Sequence, residues 1–480
     1  MRTAERLREQ GKGTATRIPG AGSSEGEGTP KRRGPRRRLG RVLAVAGLAV
    51  AVFLAGGIGA FRALRSKPPV VSTHQAPAFE DHPVIASGTL AETIASLQDR
   101  LKALPSDWNS WATLGLAYVQ EARITADPTY YPKAQGALER SLRIHPDENF
   151  PALTGLGALA LARHDFTGGL AYGQRAEKIN PYNSNIRGVA GDALIELGRY
   201  REAFAEMQKM VDLRPGLSSY SRVSYARELQ GDTKGAAAIM NMALGDSADA
   251  QDRAWVYNQL GDLAFNQGDL PGAEHDYTFS HGVDPSFVPA DAGLAKVLAA
   301  RGRIAPAIDG YAAVVKVYPL PEYVIALIDL ETVAGRSVDA ARDTGLLHVE
   351  EQLFRANGVD MDLELAQFDA DHGVDLPDGL AAARREWGRR QSIAVADALA
   401  WALYANGRYH EALGYSNQAL HLGTKSALFL FHRGMIEKAL GRTAAARGDL
   451  GQALGVNPHF SILWSARADR ALASLEGGSR

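Results

Sequence analysis

An all-α solenoid of about ten helix pairs is the fold class this sequence predicts, on three observations. Glycines stand at 198, 231, 268, 302, 335, 373, 407 and 441, separated by 33 to 38 residues. Five residues after seven of these eight stands an alanine (Ala203, Ala236, Ala273, Ala307, Ala340, Ala412, Ala446), with Asp378 after Gly373 as the exception. Prolines at 146, 181 and 215, and again at 285 and 319, keep a step of 34 or 35. A period of this length marks a supersecondary unit that stacks on copies of itself. Composition agrees. With 45% hydrophobic and 22% charged residues over 480 positions the chain is not globally disordered, and 50 glycines without a three-residue period are not collagen. The absence of cysteine removes disulfides, thiol chemistry and Cys-ligated metal centres.

Taken from the start, residues 1–41 carry twelve Lys/Arg against four Asp/Glu and predict a disordered basic tail. Residues 42–61 contain no charged side chain; twenty residues at about 1.5 Å each span roughly 30 Å, the thickness of a bilayer core. They predict a transmembrane helix. Seven basic residues between Lys31 and Arg41, against three after the span, place the N-terminus in the cytoplasm and everything after Lys67 on the outer side of the membrane. A cleavable signal peptide is the competing reading, but its apolar region normally runs about 7–15 residues. Gly47, Ala51, Ala55 and Gly59 have the spacing by which two such helices approach and form a homodimer. Residues 62–87, with Pro68, Pro69, Pro77 and Pro83, read as an extended linker. Residues 88–476 form the solenoid. It opens at the capping box Thr89–Glu92 with Leu90, Ile94, Leu97, Leu101 and Leu104 at helical spacing, and closes on a capping helix bearing Ile462, Trp464, Ala468 and Leu472. From Pro68 on, the net charge is −12.

Trp111, Leu114, Gly115 and Tyr118 stand in a W-x2-L-G-x2-Y pattern, and the same unit closes with Ala134, Leu138, Ser141 and Pro146 after an insertion of about seven residues. The glycine permits a tight turn between antiparallel helices, the alanine lets the second helix (B) approach the first (A), and the proline starts the next unit. Tyr200, Tyr277, Tyr311 and Leu450 are expected to fill the spaces between helices. On these residues the chain resembles tetratricopeptide-repeat (TPR) proteins, in particular the membrane-anchored, exported ones of high-GC actinobacteria, over most of residues 90–475. The resemblance implies a right-handed superhelix that binds protein segments on its concave face, with no reaction and no cofactor. Two units carry insertions, near residues 122–130 and 341–358, for which the period gives no reason.

By the register of that family, the concave face holds Asp192, Tyr225, Asp262, Lys296, Asp329 and Trp401, six places before the glycine, and Asn258 and Asp397, ten before it. These are the candidate protein-binding residues. The Lys/Asn/Arg clamp of chaperone-binding TPR domains is absent. Three aspartates on an acidic body predict a protein or peptide partner with basic or amide-rich segments, against the plainer alternative of a solvated acidic surface. Nucleic acid is not an expected partner, because the basic run is tied to the membrane and lacks aromatic residues.

Metal or catalytic chemistry has one candidate, the cluster Asp360, Asp362, Glu364, Asp369, Asp371, His372 and Asp375. His372 directly precedes the turn glycine, which offers it a quieter place against the free carbonyls of a helix end. Asp397, Trp401, Tyr404, His432 and Glu437 fall on neighbouring A helices and are expected to form a structural polar network. Gly22-Ser23-Ser24-Glu25-Gly26 has no strand or helix to build a nucleophile elbow. There is no P-loop, and Gly155-Leu156-Gly157 lies inside an A helix. The expected function is therefore a membrane-anchored scaffold that is not an enzyme. A metal-dependent protein using Asp369, Asp371 and His372, or a self-associating envelope protein, are the alternatives.

Overall fold

All eight repeat glycines adopt φ between +67° and +77°, the left-handed conformation that ends one helix and turns the chain back along it. The computed structural model describes residues 90–247 and 249–477. The basic tail, the span over 42–61, the linker and Thr89 lie outside the described residues. Among those described there is no strand, and no helix is long and apolar enough to cross a membrane.

A leading helix, α1 (Leu90–Ala103), is followed by ten antiparallel A/B pairs. They are α2 (Trp108–Thr125) with α3 (Tyr130–Ile144), α4 (Phe150–Ala162) with α5 (Phe166–Ile179), α6 (Ser184–Glu196) with α7 (Tyr200–Leu213), α8 (Leu217–Leu229) with α9 (Thr233–Gly245), and α10 (Ala250–Asn266) with α11 (Leu270–Val283). The second half comprises α12 (Val288–Ala300) with α13 (Ile304–Val317), α14 (Pro321–Val333) with α15 (Ser337–Ala356), α16 (Asp362–His372) with α17 (Leu376–Arg389), α18 (Ile393–Ala405) with α19 (Tyr409–Ala419), and α20 (Ala427–Ala439) with α21 (Thr443–Val456). A terminal helix, α22 (Ser465–Gly477), covers the last pair.

The packing follows the predicted residue types. Ala134, Ala203, Ala236, Ala273, Ala307, Ala412 and Ala446 are fully buried where B meets A, Ala340 is only partly buried, and Tyr200, Tyr277, Tyr311 and Leu450 are core residues between helices. The exception at Asp378 has a local cause. Asp375 adopts φ 41° after Gly373, so the turn is longer and Gly379, one place later, makes the close approach. A Cβ there would stand 2.8 Å from that of Asp369. The two insertions become visible as α2, with 18 residues, and α15, with 20, against 13 or 14 in most of the others.

The superhelix closes on itself. Five hydrogen bonds join residues 192 to 196 apart: His164 Nδ1 to the Asp360 carbonyl, Tyr318 Oη to the Arg123 carbonyl, Arg390 to Glu196, the Ile393 amide to Tyr200 Oη, and Asn457 Nδ2 to the Phe265 carbonyl. One coil thus takes that many residues, and the second coil lies directly on the first. The physical reason is the bonding capacity left over at helix ends. Arg123 offers a last-turn carbonyl and Ile393 a first-turn amide without an intrahelical partner, while the Phe265 carbonyl, which already accepts from the Gly268 amide at 2.8 Å, takes Asn457 as a further donor. The glycine turns also let the coils touch: at Gly198 and Gly231 a Cβ would collide with the backbone carbonyls of Gln391 and Gly423 on the opposing coil. The apolar clusters cross the seam as well, since Ile393, Ala396, Ala419 and Phe429 pack with Leu161–Leu229, and Val359 packs with Leu90–Leu159.

Candidate functional site

The predicted concave residues lie on the A helices, and most of them are engaged along the row. Arg222 holds Asp192 with Nε–Oδ1 at 2.9 Å and Nη2–Oδ2 at 2.7 Å. Asp262 accepts from Lys296 Nζ at 2.7 Å, from Tyr277 Oη at 2.7 Å and from Asn258 Nδ2 at 3.2 Å. Asp329 meets His372 Nε2 at 2.9 Å, and Asp397 meets His432 Nδ1 at 2.8 Å. Each of these four aspartates therefore faces a cation or imidazole supplied by the next A helix. Tyr225 sits with its hydroxyl among Glu196, Tyr200 and Glu228, and burial raises its pKa well above that of a free phenol.

Trp401 lies between the rings of His432 (4.1 Å between centroids) and Tyr404 (4.6 Å), and its Nε1 donates to Asp371 at 2.7 Å. The structure thus brings Asp397, Trp401, Tyr404 and His432 into the expected network, while Glu437 turns instead toward Arg433 and Asp449.

The Asp369/Asp371/His372 cluster does not converge. Asp371 Oδ1 accepts from the indoles of Trp401 and Trp464, at 2.7 and 2.8 Å, and His372 reaches Asp329 rather than helix-end carbonyls. Asp369 faces the Gly379 turn. Nearby, carboxylate oxygens of Asp360, Asp362 and Glu386 do lie within 4.8 Å of one another. Arginines occupy the space. Asp362 accepts from Arg355, Arg385 and Arg389 at 3.0–3.1 Å, and Glu386 from Arg389 and Arg390. Burial alone would raise the pKa of Asp362, but the guanidiniums outweigh it and hold the group below its ordinary value.

The space left for a ligand lies where the lengthened helices meet. A cavity of about 640 Å³ is bordered by the end of α2 and its insertion, the His164 turn, the starts of α12 and α14, and the stretch from Phe354 in the last turn of α15 to Glu364 in α16. Its apolar wall includes Phe287, Val288, Leu320 and Met361, and its polar wall Tyr318, Glu322, Tyr323 and Glu364 together with the guanidinium residues Arg123 and Arg390. A second cavity of about 120 Å³ shares Glu322 and Glu364 and adds Glu228, Gln367 and Asp371. Burial pushes Glu228, Glu322 and Glu364 up to about 7, and Asp371 up to about 6. His164 is held down at about 4 by burial and by Arg390, so its ring is neutral and Nδ1–H donates to the Asp360 carbonyl.

None of the cavity residues was among the concave-face candidates. In the sequence Glu364 stands out only as part of the acidic run. The insertions were the available signal, and their meeting depends on a coil closure that no local pattern encodes.

Residues 398–475 match the tetratricopeptide repeat family model. No curated protein matches this chain. Among solved structures it is similar to the Cut9–Hcn1 hetero-tetramer of the APC/C, at 17% identity over 80% of this chain and 81% of that one, with a TM-score of 0.38. A thermophilic TPR protein of Thermus thermophilus gives 19% identity, 40% and 99% coverage and a TM-score of 0.35. Yeast Tom70 gives 12%, 77% and 96%, and 0.32.

Proposed function

We propose that this tetratricopeptide-repeat protein is a protein-binding scaffold, anchored in a bacterial membrane by residues 42–61, with its N-terminus in the cytoplasm and its solenoid exported. The repeat match over 398–475 and the ten helix pairs support the binding role. The observation that carries it is the division of the inner surface. The A-row aspartates are consumed by their neighbours, whereas the cavity at the meeting of the two lengthened helices offers carboxylates, tyrosine rings and apolar walls to an incoming chain. The partner presents a basic segment, which complements both those carboxylates and the net charge of −12 after Pro68.

Photo-crosslinkers placed at Gln120 and Gln367, on the inner A helices, are compared in native membranes with others at the exposed B-helix positions Gln208 and Gln418. A small, repeatable set of proteins captured only from the inner positions is expected. Equal capture from both sides, or capture of none, overturns the reading.

A further inference from the structure

We infer that the 640 Å³ cavity between the coils is a binding site for an aliphatic chain ending in a cationic nitrogen, an ammonium or guanidinium group. The walls divide the ligand's chemistry between them. Phe287, Val288, Leu320 and Met361 offer apolar surface for a methylene stem, while Glu322 and Glu364 offer carboxylates at its far end. Glu364 Oε2 is fully buried and has no hydrogen-bond partner. A buried carboxylate oxygen left this way costs free energy that an entering donor recovers.

The fold does not supply that donor. Two guanidiniums line the cavity: Arg390, which faces Glu364, is spent on Glu196 at 2.7 Å and on Glu386, and Arg123 lies beside Tyr131 and Tyr318. Lys296, which faces Glu322, is bound to Asp262 at 2.7 Å. The rings of Tyr318 and Tyr323 line the same space and add faces that attract a cation. A divalent metal is a poorer match. Among the described residues, the group of three or more metal-type ligands lies at Asp360, Asp362 and Glu386, among arginines, and not in this cavity. The volume is within the roughly 300–1,000 Å³ of ordinary ligand sites. Such a group reaches the site either on a lysine or arginine of a partner protein or as a free small amine. The site rests on the scaffold reading only for the first of these sources.

The groups facing Glu322 are Asp262, Lys296, Tyr323 and Glu364, those facing Glu364 are Arg390, Glu386, Asp360 and Glu322, and Arg123 and the neutral His164 line the same cavity. With that balance both carboxylates ionise near neutrality, so a cation binds better above pH 7 than below it. The test is calorimetric titration of the full chain in detergent with cadaverine and, separately, with the blocked peptide acetyl-Gly-Lys-Gly-amide, at pH 6 and pH 8. One site per chain is expected, at least tenfold tighter at pH 8 and at least tenfold weaker in Glu364→Gln. Val288→Trp, which fills the cavity without touching a carboxylate, abolishes binding and keeps the test decisive should Glu364→Gln fail to fold. Tighter binding of the peptide assigns the site to a partner's side chain, and tighter binding of cadaverine to a free amine; either supports it. No binding of either probe at millimolar concentration, or unchanged binding in either variant, overturns the site. Inner-surface crosslinks that persist beside such a result would leave the scaffold standing without it.

Discussion

Asp362 and Glu364 are two residues apart on α16 and both are shielded from water, yet their carboxylates end in opposite states. Asp362 receives three arginines and stays ionised below its ordinary pKa; Glu364 receives none of its own and burial pushes it to about 7. Burial is common to the two. What separates them is whether the fold brings a cation. Asp362 belongs to a knot that, through Glu386, Arg390 and Glu196, fastens one coil to the other, whereas Glu364 belongs to a cavity wall. The same chemistry is spent on closure in one place and left available in the other.

The strongest way to break the contrast is to make the knot resemble the cavity. Arg390→Met leaves Glu196 and Glu386 buried without their shared cation, and removing one partner of such a pair costs about 3–5 kcal/mol. Urea denaturation of the full chain is expected to show a loss of that size. A loss below about 1 kcal/mol would mean that the coils are held by their apolar seam, and the knot would not be the fastening.

The reverse manipulation neutralises the cavity. A carboxyl whose pKa is about 7 folded and 4.5 ordinarily stabilises the native state while it remains protonated. That contribution is complete below pH 4.5 and is lost as pH rises through 7. Each of Glu322 and Glu364 therefore accounts for at most about 3 kcal/mol of falling stability over this window. His372, raised by Asp329 against the opposing effect of burial, loses stability in the same direction, and His164, held at about 4, works against it at lower pH. Comparing the chain with its Glu322→Gln, Glu364→Gln double variant cancels both histidines. The variant is expected to melt at a higher temperature at pH 8 and to differ little at pH 5. Parallel curves would show that the two groups are ionised in the folded protein, and the contrast with Asp362 would disappear.

How much of this was legible in the sequence follows from the range of the interactions. The turn glycines, the alanines beside them and the ten pairs were readable because each is settled within one repeat, by backbone conformation and close approach. The Asp397–Trp401–His432 network was readable because it joins adjacent A helices at a fixed step. The period puts the A-row aspartates on the helices where they lie, but it does not reveal their cations on the next repeat, since Arg222, Lys296 and His372 stand at 30, 34 and 43 residues' distance rather than at one spacing. The coil closure, and with it the cavity, depends on pairs about 194 residues apart whose members are ordinary helix-end groups. No residue type advertises them. Asp371 is similar: two indoles, 30 and 93 residues away, claim a carboxylate that otherwise looks like a metal ligand.

The smallest effects sharpen the comparison most, because two tyrosine hydroxyls bridge the coils, one at the seam and one at the cavity. Tyr200 Oη accepts from the buried Ile393 amide at 2.6 Å, where Ile393 opens α18 and its amide has no helical partner. Tyr200→Phe strands that donor in a dry seam and is expected to cost about 1–3 kcal/mol. Tyr318 Oη donates to the Arg123 carbonyl, also at 2.6 Å, but beside the cavity, where water can take over the acceptor. Tyr318→Phe is expected to cost only about 0.5–1 kcal/mol. Chemical denaturation of the two single variants resolves this difference, and the sign of it is what counts. Equal losses would show that the cavity is as dry as the seam, in which case no hydrated cation enters it without first parting the coils.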